Sequence, residues 1–182
     1  MEIPIDYYKS FYDKMVIKPE KVREVKEQCA KIQTNKQKYV DICNKFSNGI
    51  DWRFIGLIHS LECNLSFSKH LHNGDSLQKR TVNIPIGRPL GNPPFTFMQS
   101  AIDLIQLKKW DKIKDWNVYV ILQQLEKNNG FGYYLYHKDI ANPYLWSYTT
   151  FYTKGKYESD GKFKKDLVSK QPGCGPLLYY LK

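Results

Sequence analysis

Trp52-Arg53-Phe54-Ile55-Gly56-Leu57-Ile58-His59-Ser60-Leu61-Glu62 is the stretch on which the fold turns, together with the later run His70-Leu71-His72-Asn73-Gly74-Asp75. Apolar residues at Trp52, Ile55, Leu57, Ile58 and Leu61 predict a buried helix, and Asp51 is its natural N-cap after the break at Ser47-Asn48-Gly49. Glu62 falls at the C-terminal end of that helix, where the negative end of the helix dipole opposes a carboxylate and favours the protonated acid. An ordinary exposed helix-end glutamate would occupy the same position, so the decision passes to the residues around it.

Residues 64 to 95 carry few helical signals. Thr81, Val82, Ile84 and Ile86 partly alternate with polar residues, which predicts a short hairpin that Pro85, Pro89, Pro93 and Pro94 keep small. Asp75 closes an Asn-Gly-Asp turn and serves equally well as a cleft carboxylate or as a turn residue bonded to its own backbone. His70 and His72 are alternate residues with His59 nearby, yet no HExxH spacing accompanies them, so hydrogen bonding rather than metal ligation is expected.

Working outward, residues 5 to about 47 read as a helical hairpin broken at Pro19, with Tyr8, Phe11, Val25, Cys29 and Ile32 on its apolar faces. Phe95 to Leu107 reads as a helix, Asp111 to Asp115 as a turn, and Val118 to Leu125 as a buried helix stopped at Asn128-Asn129-Gly130. The following Gly130-Phe131-Gly132-Tyr133-Tyr134 mixes glycines with aromatics, either as a ligand-lining element or as a glycine cap before core rings. Pro143-Tyr144-Leu145-Trp146-Ser147-Tyr148 and Phe151 to Tyr157 are the densest aromatic segments, interleaved with Lys154 and Lys156. Residues 158 to 170 read as an exposed loop plus a short helix, Gln171 to Pro176 as a rigid turn, and Leu177 to Leu181 as a segment packing back on the core.

With 182 residues, 42% of them hydrophobic and 15% aromatic, the chain is long enough for one core and is expected to be a single domain. A net charge of +10 points to a polyanionic partner, either nucleic acid or the anionic polymers of a bacterial envelope, unless it is only a solvated lysine-rich surface. Cys29, Cys43, Cys63 and Cys174 form no CxxC pair and are expected as buried free thiols. Met1 to Asp6 lacks the pattern of a signal peptide, and no stretch approaches a membrane span; a cytoplasmic protein acting at the cell wall after release by another route is expected.

Glu62-Cys63-Asn64-Leu65-Ser66-Phe67 is similar to the Glu-Ser-x-x-Asn segment of goose-type lysozymes and lytic transglycosylases, with Cys63 where serine is usual. Asp75 with Thr81 to Gly87 resembles the Asp-x5-Thr-x-Gly-x-Gly hairpin of phage-type lysozymes, with Asn83 in place of the first glycine and a longer interval from Glu62. Over residues 50 to 175, adding Gly87-Arg88-Pro89 and Tyr144-Leu145-Trp146-Ser147, the order of segments resembles a family of bacterial and phage lysozyme-like proteins, some of them peptidoglycan-binding.

The resemblance implies a mainly helical, α+β lysozyme-like fold with a small hairpin as one wall of a glycan cleft, and muramidase chemistry on peptidoglycan without a cofactor or metal. It implies Glu62 as general acid, Asp75 as the group that orients a water or stabilises oxocarbenium-like charge, and Thr81 as a water-positioning residue. His72, Asn73, Gly130, Gly132, Tyr133, Tyr144 and Trp146 are the expected substrate contacts. The expected partner is the glycan strand, bound by a monomer. Two other classes stay open: a non-catalytic peptidoglycan-binding module on the same fold, and, on charge and aromatics alone, a basic single-strand nucleic-acid binder.

Overall fold

A computed structural model describes residues 2–159 and 161–182. Among them the chain runs α1 (Ile5–Tyr12), α2 (Val22–Thr34), α3 (Lys36–Cys43), α4 (Trp52–Cys63), α5 (Phe97–Leu107), α6 (Val118–Asn129), α7 (Gly132–Tyr136), α8 (Pro143–Trp146), β1 (Lys156–Ser159), β2 (Lys162–Lys164) and α9 (Cys174–Tyr180). The fold is mainly helical with one small two-stranded antiparallel sheet, in the coarse class expected from sequence. No helix among the described residues is long and apolar enough to cross a membrane. Where the sequence suggests a single core, the contacts group the chain into two compact units: the residues up to Ala30 with those from Asn117 onward, and Lys31–Trp116.

The Lys31–Trp116 unit is organised by α4. The Asp51 carboxylate accepts from the Arg53 amide at 2.8 Å, satisfying an otherwise orphaned helix donor, and Asn64 ends the helix in the left-handed region at φ 49°. Residues Phe54 to Ser60 are buried all round, so α4 is a core helix, not a surface one. Gly56 is what lets its neighbours come close: a Cβ there would lie 2.7 Å from Ile32 and 3.2 Å from the Tyr39 ring. Phe54 packs edge-on against Trp110 at 4.7 Å, and the Asn48 amide donates to the Trp110 and Ile113 carbonyls.

In the other unit, α6 is the central helix, flanked by α1, α8 and α9. The Phe11 ring stacks on Trp146 at 5.3 Å, and Gly175 lies flat against the same indole, where a Cβ would come within 2.8 Å. β1 and β2 pair with Tyr157 opposite Phe163.

Several expectations are corrected. Residues 81 to 87 form no strand; they make an irregular loop in which Val82, Ile84 and Ile86 are 55%, 82% and 71% exposed. Their alternation therefore marks no buried face, and the prolines remove the amides a ladder needs. The strands instead lie at Lys156–Ser159 and Lys162–Lys164, overlapping the segment expected as loop plus short helix, and no helix occurs among the described residues from 158 to 170. The N-terminal region is not one hairpin, because a further break at Asn35 separates α2 from α3. Cys174 to Pro176 belong to α9 and not to a turn.

Candidate functional site

The polar run after α4 folds back onto the end of that helix. Gly74, at φ 78°, lies so close to the Glu62 carbonyl that a Cβ would stand 2.6 Å from its oxygen. Only glycine combines that backbone with that approach. The turn that carries Asp75 is thereby packed against the backbone at the end of α4, where the half-buried Glu62 sits. The turn is closed by His70 N–H donating to the Asp75 carbonyl at 2.6 Å and Gly74 N–H to the His70 carbonyl at 2.9 Å.

Cys63 and Asn83, which stand where the sequence resemblance expects serine and glycine, both make hydrogen bonds here. The Cys63 thiol, buried and pushed up to about 12 by that burial, donates to the His70 carbonyl at 3.2 Å, as a serine hydroxyl would. The Asn83 amide donates to Asp75 Oδ1 at 2.7 Å, a bond that glycine cannot make.

Asp75 is a hub. Its Oδ2 accepts from the Val82 and Asn83 amides at 2.8 and 2.9 Å and from the Asn73 side chain at 3.1 Å. Partial burial pushes its pKa up, but the amide donors outweigh this and hold the carboxyl below its ordinary value. Asn73 is half-buried and serves the same turn, with its Oδ1 accepting from the Asp75 amide and its Nδ2 reaching the Asn83 carbonyl at 3.0 Å. Thr81 is 2% exposed; its hydroxyl donates to the Pro85 carbonyl and accepts from Arg88 N–H, so it closes the loop from within.

This loop is clamped to α5 through a polar cluster that the sequence reading missed. The Ser100 hydroxyl accepts from Leu71 N–H at 3.0 Å and faces Nδ1 of both His70, at 3.0 Å, and His72, at 3.2 Å. His70 Nε2 donates to the Lys79 carbonyl and His72 Nε2 to Asp103, both at 2.8 Å. Asp103 also takes a two-pronged ion pair from Arg88, at 2.6 and 3.0 Å. Burial lowers the His72 pKa against the opposing pull of Asp103. His72 is 7% exposed, so it supports the loop from beneath. The signal was present in sequence: Ser100 falls on the buried stripe of α5 with Phe97, Ala101 and Leu104, where a hydroxyl needs a partner.

His59, the third histidine of the sequence reading, lies apart from this cluster in an aromatic pocket of Phe67, Phe97 and Tyr39. Burial lowers its pKa to about 4. Among the described residues no cluster of three or more His, Cys, Asp or Glu is arranged to hold a metal.

The remaining expected contacts belong to the other unit. Gly130, Gly132, Tyr133 and Tyr144 line a cavity of about 480 Å³ together with Tyr157 and Lys156. Its wall is built by the hairpin packing on α7: Tyr157 N–H donates to the Tyr133 hydroxyl at 3.1 Å, and His137 stacks on Phe163 at 3.7 Å. Gly132 is needed at this junction, since its Cβ position is already 3.3 Å from the Tyr157 hydroxyl. Trp146 is a correction. It is 0% exposed, with Phe11 stacked on it and Phe151 edge-on to it, and contributes to the core instead of to a ligand surface.

Below the helical layer of this unit, Glu126 is fully buried, with Oε1 accepting from the Asn142 amide at 3.0 Å. The Tyr8 hydroxyl approaches without hydrogen-bond geometry and leaves Oε2 without a partner, and burial raises the Glu126 pKa. Asn142 in turn caps α8 through Tyr144 N–H at 3.0 Å.

Comparison with protein-family models, curated proteins and solved structures finds no match.

Proposed function

We propose that the chain is a glycosidase acting on the N-acetylmuramic acid to N-acetylglucosamine linkage of peptidoglycan, with Glu62 as the general acid. The observation that supports this reading is the close approach of Gly74 to the Glu62 main-chain carbonyl, which packs the turn carrying Asp75 against the end of the helix that bears Glu62. The chemistry asks the acid to protonate the glycosidic oxygen as the bond to the sugar breaks, a step that contributes about 10²- to 10⁴-fold. The four donors on Asp75 and the internal bonds of Thr81 suit a platform that fixes the loop next to Glu62. A net charge of +10 favours encounter with anionic wall polymers, and the tyrosine-lined cavity offers rings of the kind that pack on sugar faces.

Glu62→Gln is expected to lower turbidity loss of purified peptidoglycan by about 10²-fold or more. Unchanged activity would overturn the assignment. Mass analysis of the digest then separates hydrolysis, with reducing ends, from transglycosylation, with anhydro ends.

A non-catalytic peptidoglycan-binding role is the second reading. It is favoured by the full engagement of Asp75, which leaves neither of its oxygens without a donor. Retention on insoluble peptidoglycan with no released fragments is its signature.

A further inference from the structure

We propose that the cavity beside the β1–β2 hairpin binds a carboxylate-bearing sugar unit, with Lys156 as the cation that reads the carboxylate. This rests on the peptidoglycan reading and specifies which part of the polymer the cavity recognises.

Lys156 is the only formally charged side chain among the described residues lining the cavity; the others are tyrosines, glycines, a proline, Ser169 and two amide side chains. It is half-buried and has no ion-pair partner among the described residues. Its neighbour Lys154, by contrast, is paired with Asp166 at 2.5 Å. A cation on a tyrosine-lined wall, without a counter-ion among the described residues, is left for a ligand to neutralise.

Its position is fixed by the backbone on either side. Gly155 N–H donates to the Leu167 carbonyl at 2.9 Å and Tyr157 N–H to the Tyr133 hydroxyl at 3.1 Å, while Lys156 itself pairs with Lys164 across the hairpin. Gly155, at φ 98°, packs so tightly on Ile140 that a Cβ would come within 2.6 Å. The Lys156 Cα is therefore held on a braced strand, not on a free loop. Tyrosine rings offer apolar faces to a sugar, and Asn129 and Gln171 supply amides for hydroxyl or acetamido groups. About 480 Å³ is in the range of small-ligand sites, and one cation selects one anionic group.

In peptidoglycan that group has two sources: the lactyl carboxylate of a muramic acid without its peptide, or a carboxylate of the attached peptide. The test uses the Glu62→Gln protein, to suppress turnover, and three soluble probes titrated calorimetrically: neutral chitotetraose, a peptide-free glycan tetramer and a peptide-bearing muropeptide. Lys156→Met is expected to weaken one or both carboxylate-bearing probes by roughly 10- to 100-fold, the range for a hydrogen bond to a charged group. Chitotetraose affinity is expected to stay within about twofold, and Lys156→Arg to restore most of the loss. The probe that responds identifies the source. Should Lys156→Met prove unstable, weakening of the two anionic probes alone on raising the salt concentration makes the same point. Equal losses on all three probes, no preference for carboxylate, or no saccharide binding overturns the proposal. The glycosidase reading stands or falls separately, on the turbidity assay of Glu62→Gln in the Lys156 background.

Discussion

The junction of α5 with residues 70 to 88 and the junction of α6 with α8 both take a carboxyl group out of water, and they satisfy it in opposite ways. Asp103, its side chain 14% exposed, is met by two groups able to carry positive charge, Arg88 and His72, so that both of its oxygens are bonded. Glu126, fully buried, is met only by neutral groups, the Asn142 amide on one oxygen and the nearby Tyr8 hydroxyl. Burial penalises an isolated charge heavily, so a carboxyl without cationic partners is driven toward its neutral acid, as the raised pKa of Glu126 reflects. The first arrangement clamps a loop beside Glu62; the second supports the cap of a short helix. Burial alone thus does not identify a proton donor for chemistry, because the most buried acid among the described residues bonds the amide that caps a short helix.

The contrast is broken most severely at Asp103. Asp103→Ala leaves Arg88 and the buried His72 without their common partner and is expected to destabilise the fold by about 3 kcal/mol in a urea melt. A loss below 1 kcal/mol would mean that the cluster is ornamental. Gly74→Ala should cost about 2 kcal/mol, since it combines a left-handed backbone with a Cβ 2.6 Å from the Glu62 carbonyl. It is expected to depress peptidoglycan turnover while leaving saccharide affinity in the Lys156 cavity within twofold. A fall in both would show that the two units do not respond separately.

The smallest effect sharpens the Glu126 side. Its folded-state pKa is raised above the unfolded value of about 4.3, so the folded protein holds the proton more tightly. The stability this contributes is present below about pH 4.3 and is lost as pH rises from there through the folded pKa. Glu126→Gln keeps the oxygen that Asn142 needs and removes the titration. Stability within about 1 kcal/mol of the parent at pH 4, with a flatter decline toward alkaline pH, is expected. Parallel pH profiles for the two proteins would remove Glu126 from this role.

Local signals in the chain fared according to how local their cause was. Asp51, Gly130 and the apolar run of α4 act within a turn or two of helix, and the cap and both helices lie where the sequence put them. The alternation at Thr81 to Ile86 misled because a strand needs a partner and free amides; here Asp75 captures the amides of Val82 and Asn83, and among the described residues no strand pairs with this segment. Trp146 was legible as an aromatic but not as a buried one, since its covering rings, Phe11 and Phe151, include one from the far end of the chain. Likewise nothing local distinguishes Lys156 from Lys154; one has Asp166 within reach and the other does not.

By itself the sequence determined helices α4, α5 and α6, the Asp51 cap, the net charge and the thiols without pairing motifs, because each depends on propensity, composition or short spacing. Tertiary structure decided which polar groups meet. His70, His72, Arg88, Ser100 and Asp103 become one cluster only once α5 lies against the turn, and the hairpin at 156 to 164 becomes a cavity wall only against α7. Hydrogen bonds and ion pairs act over a few ångströms in space whatever the separation along the chain, so the role of these side chains was fixed by packing.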